Sequence, residues 1–324
     1  MRAAVVAEGG LVVKEVPDPR PGPRQVLVRL RAIGLNRADL GVASGHKHGN
    51  QGGPGAIPGI EGAGEVVEVG SEVPSHIVPG MRVMASMSGS YAEYCAVDWD
   101  RLFPVPSNNM SWEVAATLPL ALQTMHDAVV THGLCGPGRS ILIQGASSGV
   151  GLMGLQVARL MGATTVIGTS TNAERRARLT EFGATHAVDT SDTRWVDQVL
   201  EATGGRGVDA VVDMISGPLV SQTLRATAIL GRIVNVGRLG GTVAEFDFDT
   251  HAARRITYVG VTFRTRSAEE VAEIVRRSRT DLWGALEAGK LSLPLDRTYA
   301  LDEVNEALAQ MKANQHFGKL ALIP

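Results

Sequence analysis

Gly149, Gly151 and Gly154 stand in G-x-G-x-x-G spacing inside Ser-Ile-Leu-Ile-Gln-Gly-Ala-Ser-Ser-Gly-Val-Gly-Leu-Met-Gly, residues 140–154. The chemistry this spacing points to is capture of a pyrophosphate by backbone N–H groups at the N-terminus of a helix. In such a motif the first glycine permits a tight turn and the second lets the backbone approach the ligand. The third lets helix and strand pack closely. Gly145, Ser147, Ser148, Gly149, Val150 and Gly151 form the candidate cradle, with the two serines adding hydroxyl donors. The plain alternative is a glycine-rich turn that holds nothing.

About twenty residues on, where an acid would bond ribose hydroxyls and repel a 2′-phosphate, the chain has Ser170. Arg175 and Arg176 follow and can supply a charge-assisted contact to a phosphate dianion. This combination favours NADPH over NADH. The plain alternative is that both arginines are solvated helix charges partnered by Glu174 or Glu181.

These residues need a scaffold of strands that end at the site. From about Leu120 helical patterns alternate with short apolar runs at Ile141–Ile143, Thr164–Gly168, His186–Val188, Ala210–Asp213, Ile233–Val236 and Thr257–Thr262. Helices are expected over Gly151–Met161, Ala173–Phe182, Thr193–Thr203 and Pro218–Ile229, with Gly162, Gly183 and Gly231 as C-terminal caps. Six strands joined by helical crossovers make an α/β fold with a doubly wound parallel (Rossmann) sheet. Before it, Ala3–Ala7, Leu11–Val16, Gln25–Ile33, Gly62–Val69, Arg82–Ala85, Ala92–Val97 and Leu102–Pro104 read as strands of a β-rich domain. Ser44–Pro58 lacks an apolar period and reads as a mobile surface loop. The tail is mixed, with a helix at Leu301–Ala313 and a last strand near Lys319–Ile323.

The 324 residues suffice for two domains, and the 38 glycines suit many tight turns. A net charge of −2 gives no electrostatic reason to expect nucleic acid or an anionic membrane. No apolar run reaches the roughly 18 residues of a membrane span, and the apolar patch at the N-terminus is too short for a signal peptide. Cys95 and Cys135 are the two cysteines, too few for a four-Cys zinc site. A reducing, cytoplasmic setting is the default expectation.

The order of parts, together with Gly34-Leu35-Asn36-Arg37-Ala38-Asp39, Pro58-Gly59-Ile60-Glu61-Gly62-Ala63-Gly64 and Ala313-Asn314-Gln315-His316-Phe317-Gly318-Lys319, resembles the medium-chain dehydrogenase/reductase superfamily over nearly the whole length. The nearest branch is the zinc-free, zeta-crystallin-like quinone oxidoreductases. The resemblance implies a GroES-like substrate domain over residues 1–120, completed by 266–324, and an NADPH-binding Rossmann domain over 121–265. Zinc-using relatives place a Cys at Asn36 and a His at Ile60. Isoleucine cannot ligate a metal and Asn is a poor zinc ligand, so no metal site is expected. Asn36 is expected near the nicotinamide, bonding a substrate carbonyl or the cofactor; a turn asparagine capping the helix from Arg37 is the plainer role. Thr124 matches a family threonine at the nicotinamide end, or is a buried helix hydroxyl. Segments around Asp213–Ile215, Asn235–Arg238 and Val261–Arg264, with Val236 and Phe263, are implied to receive ribose and carboxamide. Relatives often stack a Tyr on adenine where this chain has Thr190, so no adenine contact is assigned.

His46-Lys47-His48 reads as solvated loop, with a gating or proton-supplying role as the sharper alternative; Tyr91, Tyr94 and Trp99 read as core. The expected activity is hydride transfer from NADPH to a quinone, driven by positioning in a dry cleft, with the loop as a lid. A 2-alkenal, enone or enoyl-CoA double-bond reductase uses the same geometry. A non-catalytic NADPH sensor is the alternative of another class. The Thr257–Thr262 strand is expected at the sheet edge, pairing across a two-fold axis in a homodimer.

Overall fold

A computed structural model describes residues 1–47 and 52–324. The chain divides into two compact units, Met1–Gln123 with Phe263–Pro324, and Thr124–Thr262.

Along the chain come β1 (Arg2–Ala7), β2 (Gly10–Glu15), β3 (Gln25–Gly34), α1 (Arg37–Ala43), β4 (Glu61–Val69), β5 (Arg82–Ser86), β6 (Tyr94–Asp98), β7 (Leu102–Pro104), α2 (Trp112–Ala116) and α3 (Pro119–Met125). A π-helical stretch, His126–His132, leads into β8 (Ser140–Ile143) and α4 (Gly149–Leu160). Then follow β9 (Thr165–Thr169), α5 (Ala173–Ala177), β10 (His186–Val188), α6 (Trp195–Ala202), β11 (Val208–Asp213), α7 (Val220–Ala226), β12 (Thr227–Asn235), α8 (Phe248–Arg254) and β13 (Thr257–Gly260). The chain then returns to the first unit through α9 (Ala268–Glu287), β14 (Leu295–Ala300), α10 (Val304–Lys312) and β15 (Lys319–Ile323).

The second unit is a six-stranded sheet in the order β10-β9-β8-β11-β12-β13, with every pair parallel. Ile141, Leu142 and Ile143 are fully buried, as a central parallel strand covered on both faces requires. Trp195 and Val199 of α6 pack with Leu142, Ile167 and Val211 in its core. The first unit holds the β1-β2 hairpin and a seven-stranded sheet, β14-β15-β3-β4-β5-β7, with β6 paired to β3. Val28, Leu30 and Ile33 of β3 pack with Val66, Val83 and Leu322.

Several elements differ from the sequence expectation. The expected helix Pro218–Ile229 ends at Ala226, because Thr227 already begins β12. Gly231 is therefore no cap but a strand glycine, where an added Cβ would lie 2.8 Å from the Ala228 carbonyl oxygen. Gly162 (φ +91°) and Gly183 (φ +101°) do take the left-handed conformation after their helices. The expected helix Ala173–Phe182 is α5 followed by a 3-10 turn, Leu179–Phe182. The edge strand stops at Gly260 rather than Thr262. The longest helix among the described residues, the 20 residues of α9, falls in what reads as a mixed tail. Part of the Ser44–Pro58 loop is tied down: Gly55 donates to the Val6 carbonyl, and Val6 donates to that of Ala56, each at 2.9 Å. His46 is exposed, and His48 lies outside the described residues.

Candidate functional site

In the second unit the turn after β8 divides the three glycine tasks differently from the expected assignment. The tight turn falls on Gly145, whose φ of +72° suits a residue without Cβ. Gly149 is instead the first residue of α4. Gly151 permits a close approach of α4 to its own turn: a Cβ there would lie 2.6 Å from the Gly145 carbonyl oxygen. Gly154 lets α4 pack, since a Cβ would meet Met125 Sδ at 2.8 Å and Ile143 Cδ1 at 3.6 Å. Ser148 is the N-cap; its Oγ accepts from the Gly151 N–H at 3.1 Å and donates to the Gly145 carbonyl at 2.9 Å. Helix geometry leaves the first N–H groups of α4, those of Gly149 and Val150, without intrahelical acceptors. A glycine-walled turn beneath unspent helix N–H groups fits a pyrophosphate.

Ser170 follows β9 and is buried. Its Oγ donates to Ser147 Oγ at 3.0 Å, so the residue after β9 is joined directly to the glycine turn after β8. The guanidinium beside it belongs to Arg176: Nη1 donates to the Ser170 carbonyl and to Asp189 Oδ2, each at 2.8 Å. Hydrogen bonds from Ser191 and the neighbouring Arg176 hold the Asp189 carboxyl below its ordinary range. Arg175 lies in the same short helix, its N–H capped by Asn172 Oδ1 at 2.9 Å. The acid Asp189 beside this site is absent from the sequence-based expectation.

The tips of β11 and β12 are also pinned. Asp213 Oδ1 accepts the N–H groups of Ile215 (2.9 Å) and Ser216 (2.8 Å), and the Val236 N–H bonds the Asp213 carbonyl at 2.8 Å. Burial pushes the Asp213 carboxyl up despite these bonds. The Asn235 amide donates to the Ser216 hydroxyl, and Ser216 holds a left-handed φ of +57°. Thr124 is buried near the end of α3. Thr190 follows β10 and is half-buried.

In the first unit, Asn36 precedes α1. Its backbone N–H donates to Asp39 Oδ2 at 2.8 Å, half of a capping box. Its side chain is engaged elsewhere: Nδ2 donates to Glu61 Oε1 at 2.8 Å, and Oδ1 accepts from Lys319 Nζ at 2.7 Å. Lys319 also donates to Glu61 Oε1 at 2.6 Å and to the Leu35 carbonyl at 2.8 Å. Glu61 Oε2 accepts from the Leu120 N–H at 2.9 Å. Glu61, Lys319 and Asn36 are 0%, 4% and 7% exposed, so all three are buried and Asn36 is the least buried of them. Below it, Tyr91 OH donates to Asp39 Oδ2 at 2.9 Å. Burial raises the Asp39 carboxyl to about 7. Tyr91 thus belongs to the core, as expected, but with its hydroxyl committed to Asp39. Phe263 lies in this unit, with the Arg266 guanidinium 5.8 Å from its ring centre.

Among the described residues no group of three or more His, Cys, Asp or Glu side chains could hold a metal ion. No described helix is long and apolar enough to cross a membrane.

Comparison with known proteins adds to this geometry. Residues 22–107 match the family profile described as alcohol dehydrogenase GroES-like domain, and 149–278 that of zinc-binding dehydrogenase. A quinone oxidoreductase of Pseudomonas aeruginosa is 31% identical, covering 100% of this chain and 99% of its own. A mycobacterial quinone oxidoreductase structure superposes with a TM-score of 0.87 at 28% identity, each chain covered in full. A mycobacterial structure complexed with NADPH does so with a TM-score of 0.87 at 27% identity, again with full coverage of both. A doubly wound sheet with a glycine turn opening a helix, a GroES-like unit and this full-length similarity agree: the chain belongs to the medium-chain dehydrogenase/reductase superfamily, in the quinone oxidoreductase branch of these NAD(P)H-binding oxidoreductases.

Proposed function

We propose that the chain is an NADPH-dependent, zinc-independent reductase that delivers hydride to a quinone. The observation that carries the cofactor preference is at Ser170: a neutral hydroxyl stands at the ribose position, bonded to Ser147, with Arg176 against its carbonyl. The Ser170 hydroxyl sets no charge against a 2′-phosphate, and Arg175 and Arg176 supply positive charge, that of Arg176 shared with Asp189. Gly145, Ser147, Ser148, Gly149, Val150 and Gly151 hold the pyrophosphate. By the family pattern, Thr124, Val236 and Phe263 serve the nicotinamide end, and Asn36 bonds the acceptor oxygen or the carboxamide. NADPH supplies the hydride from C4 of its nicotinamide.

Zinc independence rests on residue identity. Ile60 has no ligand atom, and both polar atoms of the Asn36 side chain are engaged by Glu61 and Lys319. A quinone is electrophilic enough to accept hydride when it is held in place, so positioning supplies the catalysis. The quinone oxidoreductase relatives support the same acceptor class. Cys95 and Cys135 are buried free thiols, in keeping with a cytoplasmic location. The chain assembles as a homodimer through β13, the sheet edge whose Tyr258 meets Phe246, next to exposed Phe248.

The test is NADPH oxidation with 1,4-benzoquinone, an ortho-quinone, 2-cyclohexen-1-one and crotonyl-CoA, with products identified. Hydroquinone formation is expected. No quinone turnover above the uncatalysed rate overturns the reading. Saturated carbonyl products alone make the chain a double-bond reductase, and tight NADPH binding without any turnover makes it a sensor.

A further inference from the structure

We infer that Glu61 and Lys319 act as positioning residues that lock the Asn36 amide in one orientation, so that it can serve an acceptor only as a hydrogen-bond donor. An asparagine side chain has two N–H donors on one side and a carbonyl acceptor on the other, and either face can in principle be offered to a ligand. Here the choice is made by charge. Oδ1 lies 2.7 Å from the Lys319 ammonium and Nδ2 lies 2.8 Å from a Glu61 carboxylate oxygen. The flipped amide would set its N–H groups against the ammonium and its carbonyl against the carboxylate, two like-signed contacts in a buried site.

The lock is complete in itself. The three ammonium protons of Lys319 go to Leu35 O, Asn36 Oδ1 and Glu61 Oε1. Glu61 Oε1 takes Lys319 and Asn36, and Oε2 takes the Leu120 N–H, so both carboxylate oxygens are occupied. The Asn36 backbone is held as well, by Asp39. One proton of the amide nitrogen is spent on Glu61, and the other is the group left to offer.

The consequence for substrate rests on the reductase reading above. An N–H donor stabilises an oxygen that gains negative charge as hydride arrives, as the carbonyl oxygen of a quinone or enone does. It offers nothing to an alcohol O–H that needs an acceptor. Asn36 thereby favours a carbonyl oxygen that gains negative charge over an alcohol O–H that must donate.

Two experiments test this. Neutron diffraction from crystals of the deuterated protein distinguishes the amide atoms, which X-ray data at ordinary resolution do not. Two deuterons on the atom facing Glu61 are expected; two on the atom facing Lys319 overturn the inference whether or not the protein turns over. The second experiment is a double-mutant cycle with NADPH and 1,4-benzoquinone, comparing Asn36→Ala in the wild type and in Glu61→Gln/Lys319→Met. That double variant leaves no unpaired buried charge. Asn36→Ala is expected to lower kcat at least about tenfold in the wild type and less than about twofold in the double variant, whose amide is already free to flip. The NADPH dissociation constant should change little throughout. Equal losses in both backgrounds, or wild-type kcat in a folded double variant, overturn the inference. Should the double variant not fold, the neutron result alone decides. A wild-type protein that reduces no quinone or enone removes the reductase reading while leaving the amide orientation to the neutron map.

Discussion

Arg176 and Asp189 are paired at 2.8 Å, and the same Nη1 of Arg176 bonds the Ser170 carbonyl. The pair places one positive and one negative charge beside the position proposed for the 2′-phosphate. Asp189 therefore offsets part of the attraction that Arg176 offers an anion.

Two substitutions follow from that pair. Ser170→Asp puts a carboxylate against the 2′-phosphate and should weaken NADPH at least about tenfold while improving NADH. Asp189→Asn removes the competing carboxylate and should tighten NADPH about threefold with NADH unchanged. The ratio of KM values for the two cofactors is the measurement. A ratio unmoved by Ser170→Asp would show that the 2′-phosphate lies elsewhere.

Gly151 and Gly284 are both helical glycines in opposite situations. A Cβ at Gly151 would lie 2.6 Å from Gly145 O and 2.7 Å from Ala146 Cα, and backbone cannot step aside cheaply. Gly151→Ala should cost about 1–3 kcal/mol and weaken NADPH binding by displacing the cradle. Gly284, within α9, has nothing within 4 Å of its added Cβ. Gly284→Ala should stabilise by roughly 0.5–1 kcal/mol with cofactor binding unchanged. Thermal denaturation and NADPH titration of both variants check the contrast.

Asp39 gives a pH dependence of definite sign. Burial raises its carboxyl to about 7, against bonds from Asn36 and Tyr91 that pull it down. The unfolded chain loses this proton near pH ~4. From there to pH 7 the folded state holds more protons than the unfolded state, so stability falls as pH rises. The contribution is full below the unfolded value and is lost as pH passes through about 7. Asp39→Asn carries no charge at any of these values. The Tm of the variant relative to wild type should therefore climb between about pH 4 and 7 and level off above. A constant difference would show that Asp39 ionises normally.

The second unit was legible in the chain because its signals are local. Ile141–Ile143 is an unbroken apolar run, and the glycines and Ser170 lie within one strand-helix-strand segment. The start of β12 is ambiguous in sequence because Thr227–Ile229 continues an apolar pattern that a helix also permits. α9 is hard to read from sequence although Ser267 and Glu270 form a capping box and Val271, Ile274, Val275 and Ser278 make a buried stripe. Charges at Glu269, Glu270, Glu273, Arg276 and Arg277 cover the rest of that helix and dilute the apolar period. That Arg176 reaches the Ser170 carbonyl depends on the register of α5, since neighbouring helix residues face directions about 100° apart. The Glu61–Lys319 contact spans 258 residues, and no periodicity reports on a pair so distant. One signal was present: a lysine opening the otherwise apolar Lys-Leu-Ala-Leu-Ile, which must find a partner when that strand is buried.

The edge of the second unit bears on assembly. β13 is the last strand of its sheet, and a strand with an open edge is a template for pairing. Its Tyr258 stacks edge-on with Phe246, whose ring in turn lies 4.9 Å from that of Phe248. Phe248 is 75% exposed, an apolar ring that water solvates poorly. A second copy of the chain meeting this edge would cover both the unpaired strand and the apolar side chains. Tyr258→Lys puts a charge on the edge, as natural sheets do to stay unpaired. Sedimentation velocity at micromolar concentration should give a dimer for the wild type and a monomer for Tyr258→Lys. A wild-type chain that sediments as a monomer throughout would leave β13 an edge that never pairs.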